Sequence, residues 1–236
     1  MNGRAGLRRL LLAAAGASAA TSAGETHLQA QSLTGTTGLV TIPTASMPDD
    51  GALTVGMNLL DRRYDVPRKE HAALVQFASV GFLPFVEVDL RLTRSLGVPR
   101  QALGDRMVSV RVRLLKERAR APALVVGAQD LVGTRRHHAV YVVGSKAVRL
   151  APLPGEVGVH LGYGGDWLRA RGHEFVGVFG GLSVSPRPWL AVLLEHDAER
   201  LNAGLRLRPS KRVAILVAAH GARSFSGGFS YTHPLK

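Results

Sequence analysis

The stretch PFVEVDLRLT, residues 84–93, alternates apolar and polar side chains from Val86 onward. The stretch RMVSVRVRLL, residues 106–115, alternates in the same way after Met107. Successive side chains of a β-strand point to opposite faces, so a period of two indicates a strand with one apolar and one polar face. A helix would need apolar residues at spacings of three and four, which these stretches lack.

Segments of this kind recur along the rest of the chain. The predicted spans are 52–60, 71–78, 84–93, 105–115, 122–129, 138–147, 156–163, 174–183, 188–195, 200–208, 212–220 and 224–231. Most have about 8–11 residues, the length that a tilted strand needs to cross a bilayer. Their even number is that of single-chain bacterial barrels. The pattern predicts an all-β fold, an antiparallel transmembrane β-barrel of about 12 strands over residues 52–236.

A soluble β-sandwich is the competing all-β fold, since its strands also have one apolar face. The polar faces here are rich in Gly, Ser, Thr, Asn and Arg, which favours a crowded polar lumen. Alternate connections also differ in length, as in DRRYDVPRKE at 61–70 against SPR at 185–187. Long external loops and short periplasmic turns are the usual asymmetry of membrane barrels, so the connections favour the barrel.

The residues before the first predicted strand divide into two segments. Residues 1–23 combine three arginines with the apolar run LLLAAAGASAA and small residues, which predicts a secretory signal peptide. Cleavage after Ala19 and cleavage nearer Ala23 both fit. Residues 24–51 include GTTGLVTIPTASMPDDG, in which Gly and Pro break regular structure. We expect this turn-rich segment to lie at the periplasmic mouth, or to fold inward and narrow the lumen.

The composition limits the partners and the chemistry. The chain has 30 Lys plus Arg against 17 Asp plus Glu, a net charge of +13, and no Cys that could form a disulfide framework. For an exported barrel we expect outer-membrane lipid and lipopolysaccharide as partners, then an acidic polysaccharide and other export proteins, and no nucleic acid. The sequence has no spaced His and Cys cluster and no Gly-x-Ser-x-Gly elbow. We therefore predict no catalytic residue, no metal and no cofactor.

Several segments resemble one known family. They are GTTGLVTIPTASMPDDG at 35–51, VRVRLLKERARAPALVVGAQDLVGT at 110–134, YVVGSK at 141–146 and FGGLSVSPRPWLAVLLEHDAERLNAGLRLRPS at 179–210. These are similar to the YjbH family of outer-membrane proteins linked to exopolysaccharide production. The resemblance implies a β-barrel, an outer-membrane location and a part in making or secreting surface polysaccharide. It implies no particular reaction.

Charged residues on two polar strand faces are predicted to line the lumen as an ion-pair ladder. They are Glu87, Asp89, Arg91, Arg111 and Arg113. If Thr93 opposes Asp105 in a hairpin, Glu87 lies opposite Arg111, and a shift of two residues sets Glu87 against Arg113 instead. Paired Arg and carboxylate groups satisfy each other in a narrow lumen. A general acid/base pair of Glu87 and Asp89 is the weaker interpretation.

Two further groups of residues are candidates for function. Basic residues in the predicted outer loops, which would bind lipopolysaccharide phosphate or an acidic glycan or simply be solvated, are Arg62, Arg63, Arg135, Arg136, Arg169 and Arg171. The last strand places Phe229 and Tyr231 at a spacing that resembles the insertion signal of outer-membrane barrels. Ser226 stands where Gly is usual, and five residues follow Tyr231.

From these observations we predict a non-enzymatic part in exopolysaccharide export or assembly at the outer membrane. A membrane-embedded hydrolase acting on lipid or glycan is one alternative, and a generic porin is another. Activity on a labelled lipid or glycan would favour the hydrolase, and ion conductance without a polysaccharide phenotype would favour the porin.

Overall fold

A computed structural model describes residues 30–62, 71–97, 104–134, 137–149, 155–167, 176–221 and 223–235. It contains twelve strands: β1 Ala52–Leu60, β2 Ala73–Phe82, β3 Val86–Ser95, β4 Asp105–Leu115, β5 Ala123–Gly133, β6 Ala139–Val148, β7 Glu156–Gly165, β8 Gly177–Arg187, β9 Leu190–His196, β10 Leu201–Leu207, β11 Val213–His220 and β12 Ser224–Pro234. The all-β fold and the strand number are those predicted from the alternation. No helix in the described residues is long and apolar enough to cross a membrane. The predicted signal peptide, residues 1–23, lies outside the described residues.

The strands form one closed antiparallel barrel. Each strand pairs with the next in sequence, and β1 closes the barrel on β12, with Val55 opposite Tyr231. Because the strand number is even, β1 begins and β12 ends at the same end of the barrel, which we call the terminal end. The opposite end, which we call the loop end, carries the longer connections at 61–72, 96–104 and 166–176.

The outward face of the barrel is apolar. Leu90 on β3, Leu161 on β7 and Leu205 on β10 are 54%, 65% and 50% exposed, and every other strand also exposes a large apolar side chain. A continuous apolar surface of this extent is unfavourable in water and is the surface that a barrel presents to lipid. The chain is therefore a membrane β-barrel, and its closed sheet excludes the sandwich.

Residues 30–47, which we call the plug, lie inside the barrel. All of them are buried except the half-buried Ser46, whereas Asp49 and Asp50 are exposed. The sequence left two placements open for this segment, and residues 30–47 adopt the inward one instead of lying at the mouth. Backbone hydrogen bonds within the plug fix its shape: Gly35 N donates to Ser32 O at 3.1 Å in a tight turn, Leu33 N donates to Val40 O at 2.7 Å, and Leu39 N donates to Ile42 O at 3.0 Å.

The plug gives the lumen an apolar core. Its apolar side chains pack against inward-facing apolar residues of the wall; the cluster includes Leu33, Leu39, Val40, Ile42, Met47, Val75, Phe77, Val125, Tyr141, Phe179, Leu193 and Leu216. The strands therefore do not all have a polar inner face. The wall is apolar where it packs against plug side chains. It is polar where it binds the plug backbone or lines the cavity described below.

Candidate functional site

Glu87 on β3 and Arg111 on β4 join the barrel wall to the plug. Arg111 Nε lies 3.0 Å from Glu87 Oε2, and both side chains are fully buried. Glu87 Oε1 accepts hydrogen bonds from Thr37 N at 3.0 Å and from Thr37 Oγ1 at 2.8 Å. Arg111 donates to the carbonyl oxygens of Thr37 and Ser46. The plug thus supplies the additional hydrogen bonds that a buried ion pair needs to offset its loss of hydration.

Glu195 on β9 holds the plug from the other side, since β9 lies six strands from β3 in the twelve-stranded ring. Its carboxylate accepts hydrogen bonds from the amides of Val40 and Thr41 at 2.8 Å each and from Ile42 N at 3.3 Å. The Thr41 hydroxyl donates to the same carboxylate at 2.6 Å. Successive backbone amides converging on one anion form a nest, so this turn of the plug is built to receive a carboxylate.

Three further wall residues bind the plug backbone. Arg206 Nη2 on β10 donates to the carbonyl oxygens of Gly38 and Leu39, both at 2.7 Å. Asn58 Nδ2 on β1 donates to Leu33 O at 2.8 Å. Ser145 Oγ on β6 accepts from Ala45 N at 2.7 Å. Together with β3, β4 and β9, these contacts attach the plug to six strands around the ring.

Of the two registers that the sequence left open for the β3–β4 hairpin, the structure has the one in which Thr93 lies opposite Asp105. Glu87 lies opposite Arg111, Asp89 opposite Ser109, and Arg91 opposite Met107. The expectation of one ladder of five charged residues is not met. Glu87 and Arg111 contact the plug, whereas Arg91 Nη2 lies nearer the loop end, 3.9 Å from Asp105 Oδ2.

Two members of the predicted ladder have other surroundings. Asp89 is buried beside the Glu87–Arg111 pair, one inward position further along β3. Arg113 is half-buried at the terminal end of β4, where its guanidinium donates to Pro84 O in the β2–β3 turn. The ladder therefore ends at Arg111, because beyond it the strand leaves the plug and reaches solvent.

A cavity of about 1100 Å³, which we call the vestibule, opens at the terminal end. The plug forms its floor, with Thr37, Gly38 and Leu39 among the lining residues. Inward-facing polar residues such as His160 and Thr232 line its wall. The vestibule is a concave site with both polar and apolar lining residues at the mouth of a closed barrel, a common location for a ligand site.

Cationic side chains outnumber acidic ones in the vestibule. The cations are Lys146, Arg149, Arg187, Arg206, Arg208, Lys211 and Arg212, and the acids are Asp49, Glu117 and Glu156. Lys146 Nζ pairs with Glu117 Oε1 at 2.9 Å, and Arg206 is engaged with the plug. Partial burial lowers the pKa of Arg208 from its ordinary value, because its charged form loses hydration. An anion bound in the vestibule would compensate for the lost hydration of the charged Arg208 side chain.

His160 on β7 is the vestibule residue closest to a catalytic arrangement. Its Nδ1 lies 2.8 Å from Ser145 Oγ, and its Nε2 lies 3.3 Å from Ser183 Oγ on β8. Ser145 Oγ also accepts from Ala45 N at 2.7 Å, so its hydroxyl group links the plug backbone to the imidazole ring. His160 therefore joins a plug-bound serine to Ser183, which is the arrangement of a structural hydrogen-bond chain.

Three of the other predicted site residues are described, and they lie apart from the vestibule. Arg62 is exposed at the loop end, and the remaining basic loop candidates, Arg63, Arg135, Arg136, Arg169 and Arg171, lie outside the described residues. Phe229 and Tyr231 point outward from β12 and are 54% and 38% exposed. Their part in insertion stays a prediction. Among the described residues, no group of three or more His, Cys, Asp or Glu is placed to hold a metal ion.

A family model described as "Exopolysaccharide biosynthesis protein YbjH" matches residues 30–202, well over half of the chain. The chain belongs to the YjbH family. The match covers the plug and the wall from β1 into the start of β10. The plug and its anchors Glu87, Arg111 and Glu195 are therefore inside the part of the chain that the YjbH model describes.

Comparisons with individual proteins add little to the YjbH assignment. No curated protein matches the chain. A solved structure titled "De novo design of transmembrane beta-barrels" aligns at 10% identity over 80% of this chain and 100% of that chain, with a TM-score of 0.27. A likeness this low carries no argument, and the barrel is established by the strand pairing itself.

Sequence reasoning did not single out four of the residues that fix the plug in this YjbH barrel, which are Asn58, Ser145, Glu195 and Arg206. Glu195 is the single carboxylate in the apolar stretch WLAVLLEH at 189–196, and an isolated acid on an inward strand position is a signal that could have singled it out. Arg206 alternates with Leu205 and Leu207 in the sequence and so falls on a polar strand face, but the sequence does not indicate its partner. Glu195 and Arg206 bind backbone groups of the plug, and the pattern of side chains in a sequence does not indicate where backbone groups will lie.

Proposed function

We propose that this YjbH-family barrel lies in the outer membrane and takes a non-enzymatic part in exopolysaccharide export or assembly. The observation that carries the proposal is the plug of residues 30–47, anchored across the lumen by Glu87 and Arg111 on one side and by Glu195 on the other. An exopolysaccharide-linked barrel closed in this way is suited to binding polymer or export proteins at its mouth. It is not built as a constantly open channel.

The outer membrane is the proposed location because of the fold's dimensions and polarity. Twelve short antiparallel strands with an apolar outer face are the form in which bacterial outer-membrane proteins cross their bilayer. In such barrels both termini and the shorter turns face the periplasm. We therefore assign the terminal end, with the vestibule, to the periplasmic side.

The plug argues against a generic porin as the alternative. Val40 and Ile42 are fully buried in the lumen, where a water-filled pore would expose polar side chains. The hydrolase alternative has little support at His160, because the closer of its two serine neighbours, Ser145, is bound to the plug backbone. Both arguments favour a binding or assembly role for the terminal end.

The test combines location and phenotype. The protein is expected to float with outer-membrane fractions, to show heat-modifiable migration on gels and to be required for surface polysaccharide. A deletion strain that makes normal amounts of surface polysaccharide would contradict the proposal, as would release of the protein by osmotic shock. Purified protein that cleaves a labelled phospholipid or glycan would favour the hydrolase instead.

A further inference from the structure

Two neighbouring turns at the terminal end concentrate positive charge on one arc of the vestibule rim. The β8–β9 turn carries Arg187 and Trp189, and the β10–β11 turn carries Arg208, Lys211 and Arg212. We propose that this arc, which we call the cationic rim, binds the anionic groups of an acidic exopolysaccharide. The inference rests on the proposed function and deepens it, because it assigns the polymer a binding site on the periplasmic side.

The two turns are held together as one surface. Arg208 N donates to Trp189 O at 2.8 Å, which continues the β9–β10 pairing past the strand ends. Ser210 Oγ accepts hydrogen bonds from Arg212 N at 3.2 Å and from Val213 N at 3.1 Å, which fixes the conformation of the second turn. Thr232 N on β12 donates to Arg212 O at 2.8 Å. The cations therefore project from a hydrogen-bonded frame of backbone.

The rim charges are not balanced within the protein. Arg187, Arg208, Lys211 and Arg212 form no ion pair with the part of the chain that the structure describes. Lys146, on the other side of the vestibule, is paired with Glu117. Guanidinium groups bind carboxylates and phosphates in two-pronged geometry, so three arginines on one arc suit a chain of repeated anionic groups.

The rest of the vestibule suits a sugar polymer better than a lipid headgroup. Trp189 is 53% exposed beside the cations, and an indole face next to hydrogen-bonding groups is a surface on which sugar rings stack. Hydroxyls of Ser185 and Thr232 line the wall, and the cavity of about 1100 Å³ exceeds what a single sugar needs. The cavity opens inside the strand ring, whereas lipid headgroups lie outside it.

The experiment titrates the purified full-length protein in detergent with polygalacturonate oligosaccharides, followed by calorimetry. Replacing three rim arginines, as R187Q, R208Q and R212Q together, is expected to weaken binding about tenfold or more, because each lost charged hydrogen bond alone is worth about that factor. The matched control removes three arginines at the loop end that have no proposed binding role, as R106Q, R200Q and R223Q together. It lowers the net charge equally and is expected to leave the affinity within about twofold.

A second pair of variants tests the stacking surface without changing the charge. Trp189→Ala is expected to weaken binding of the oligosaccharide severalfold, while Trp167→Ala at the loop end, where the other Trp of the chain is 77% exposed, is expected to leave it unchanged. Equal effects of the two Trp variants, or equal effects of the two arginine triples, would overturn the site. Binding of phosphatidylglycerol vesicles with no binding of the oligosaccharide would assign the rim to lipid and overturn it too.

Failure of this inference is distinguishable from failure of the proposed function. Deletion of the gene without loss of surface polysaccharide would contradict both the proposed function and the rim inference. If deletion abolishes surface polysaccharide and the rim triple variant restores it fully, the rim inference alone fails. Heat-modifiable migration of each variant shows that it has folded, so a folded rim variant with unchanged affinity is decisive against the site.

Discussion

Thr41 of the plug and Glu195 of the wall are joined by two hydrogen bonds: Thr41 N lies 2.8 Å and Thr41 Oγ1 lies 2.6 Å from Glu195 Oε1. Glu195 is 1% exposed, and its other oxygen accepts from Val40 N at 2.8 Å. A single side chain of the wall therefore fixes the turn of the plug that lies across the barrel from β3.

Replacing this carboxylate should loosen the plug. Glu195→Ala removes the acceptor for several buried amides, and we expect a loss of roughly 3 kcal/mol in the free energy of unfolding, together with new ion conductance in planar bilayers. Chemical denaturation and single-channel recording measure the two effects. Glu199→Gln, at an exposed acid near the loop end, serves as the control and should change neither. A stable, non-conducting Glu195→Ala barrel would show that this anchor does not hold the plug.

The Glu87–Arg111 pair should be energetically coupled. Either single Ala variant leaves a buried, unpaired charge and should destabilise the barrel by roughly 3–5 kcal/mol, whereas adding the second Ala should partly compensate. A double-mutant cycle on unfolding free energies measures the coupling. The Glu117–Lys146 pair, at 2.9 Å but partly exposed, should couple by less than about 1 kcal/mol in a parallel cycle. Absence of coupling between Glu87 and Arg111 would remove the pair as an anchor.

Gly35 should be required for packing of the plug under β2. Its φ is +95°, and a Cβ there would collide with the Phe77 side chain. We expect Gly35→Ala to lower the free energy of unfolding by roughly 2 kcal/mol or more, from backbone strain plus the collision. Gly221→Ala is the matched control, because Gly221 also has positive φ, +54°, but a Cβ there meets nothing within 4 Å. Similar losses in both variants would show that strain alone, and not plug packing, sets the effect.

The lipid-facing side of β4 should reject charge. Val110 is the central residue of that strand, and Arg in its place should cost roughly 2–4 kcal/mol and impair insertion into liposomes. The control needs an inward-facing residue that tolerates Arg. Ser109, next to Val110, is unsuitable because it is buried in the occupied lumen and its Oγ accepts from Asp130 N at 3.3 Å. Ser185 lines the open vestibule, so Ser185→Arg should insert normally. Equal insertion of both variants would contradict the assigned facing.

The C-terminal aromatic residues lie at the seam where the barrel closes. Phe229 and Tyr231 lie outward on β12, and Tyr231 is opposite both Val55 of β1 and Val213 of β11 at the closing seam. Phe229 and Tyr231 are two residues apart in the sequence, so they share one strand face, which is the outward one.

The alternation of residues determined the fold class, the number of strands and the facing of β3 and β4, and it limited the register between them to shifts of two residues. These properties follow from a period of two and from short connections, both of which are local in the chain. The sequence could not determine that the lumen is filled, because the plug meets the wall through contacts between residues 25 to 168 positions apart, from Leu33 with Asn58 to Gly38 with Arg206.

Only the tertiary structure decided which charged residues contact each other. Arg111 and Arg113 are equivalent in the alternating pattern, yet Arg111 is buried against Glu87 and the plug while Arg113 reaches the β2–β3 turn at the terminal end. The rim cations lie in turns separated by a complete hairpin in sequence, and closure of the β9–β10 pair brings them side by side. Burial and proximity arise from closing the ring around the plug, and no local pattern of residue types encodes where that closure places a side chain.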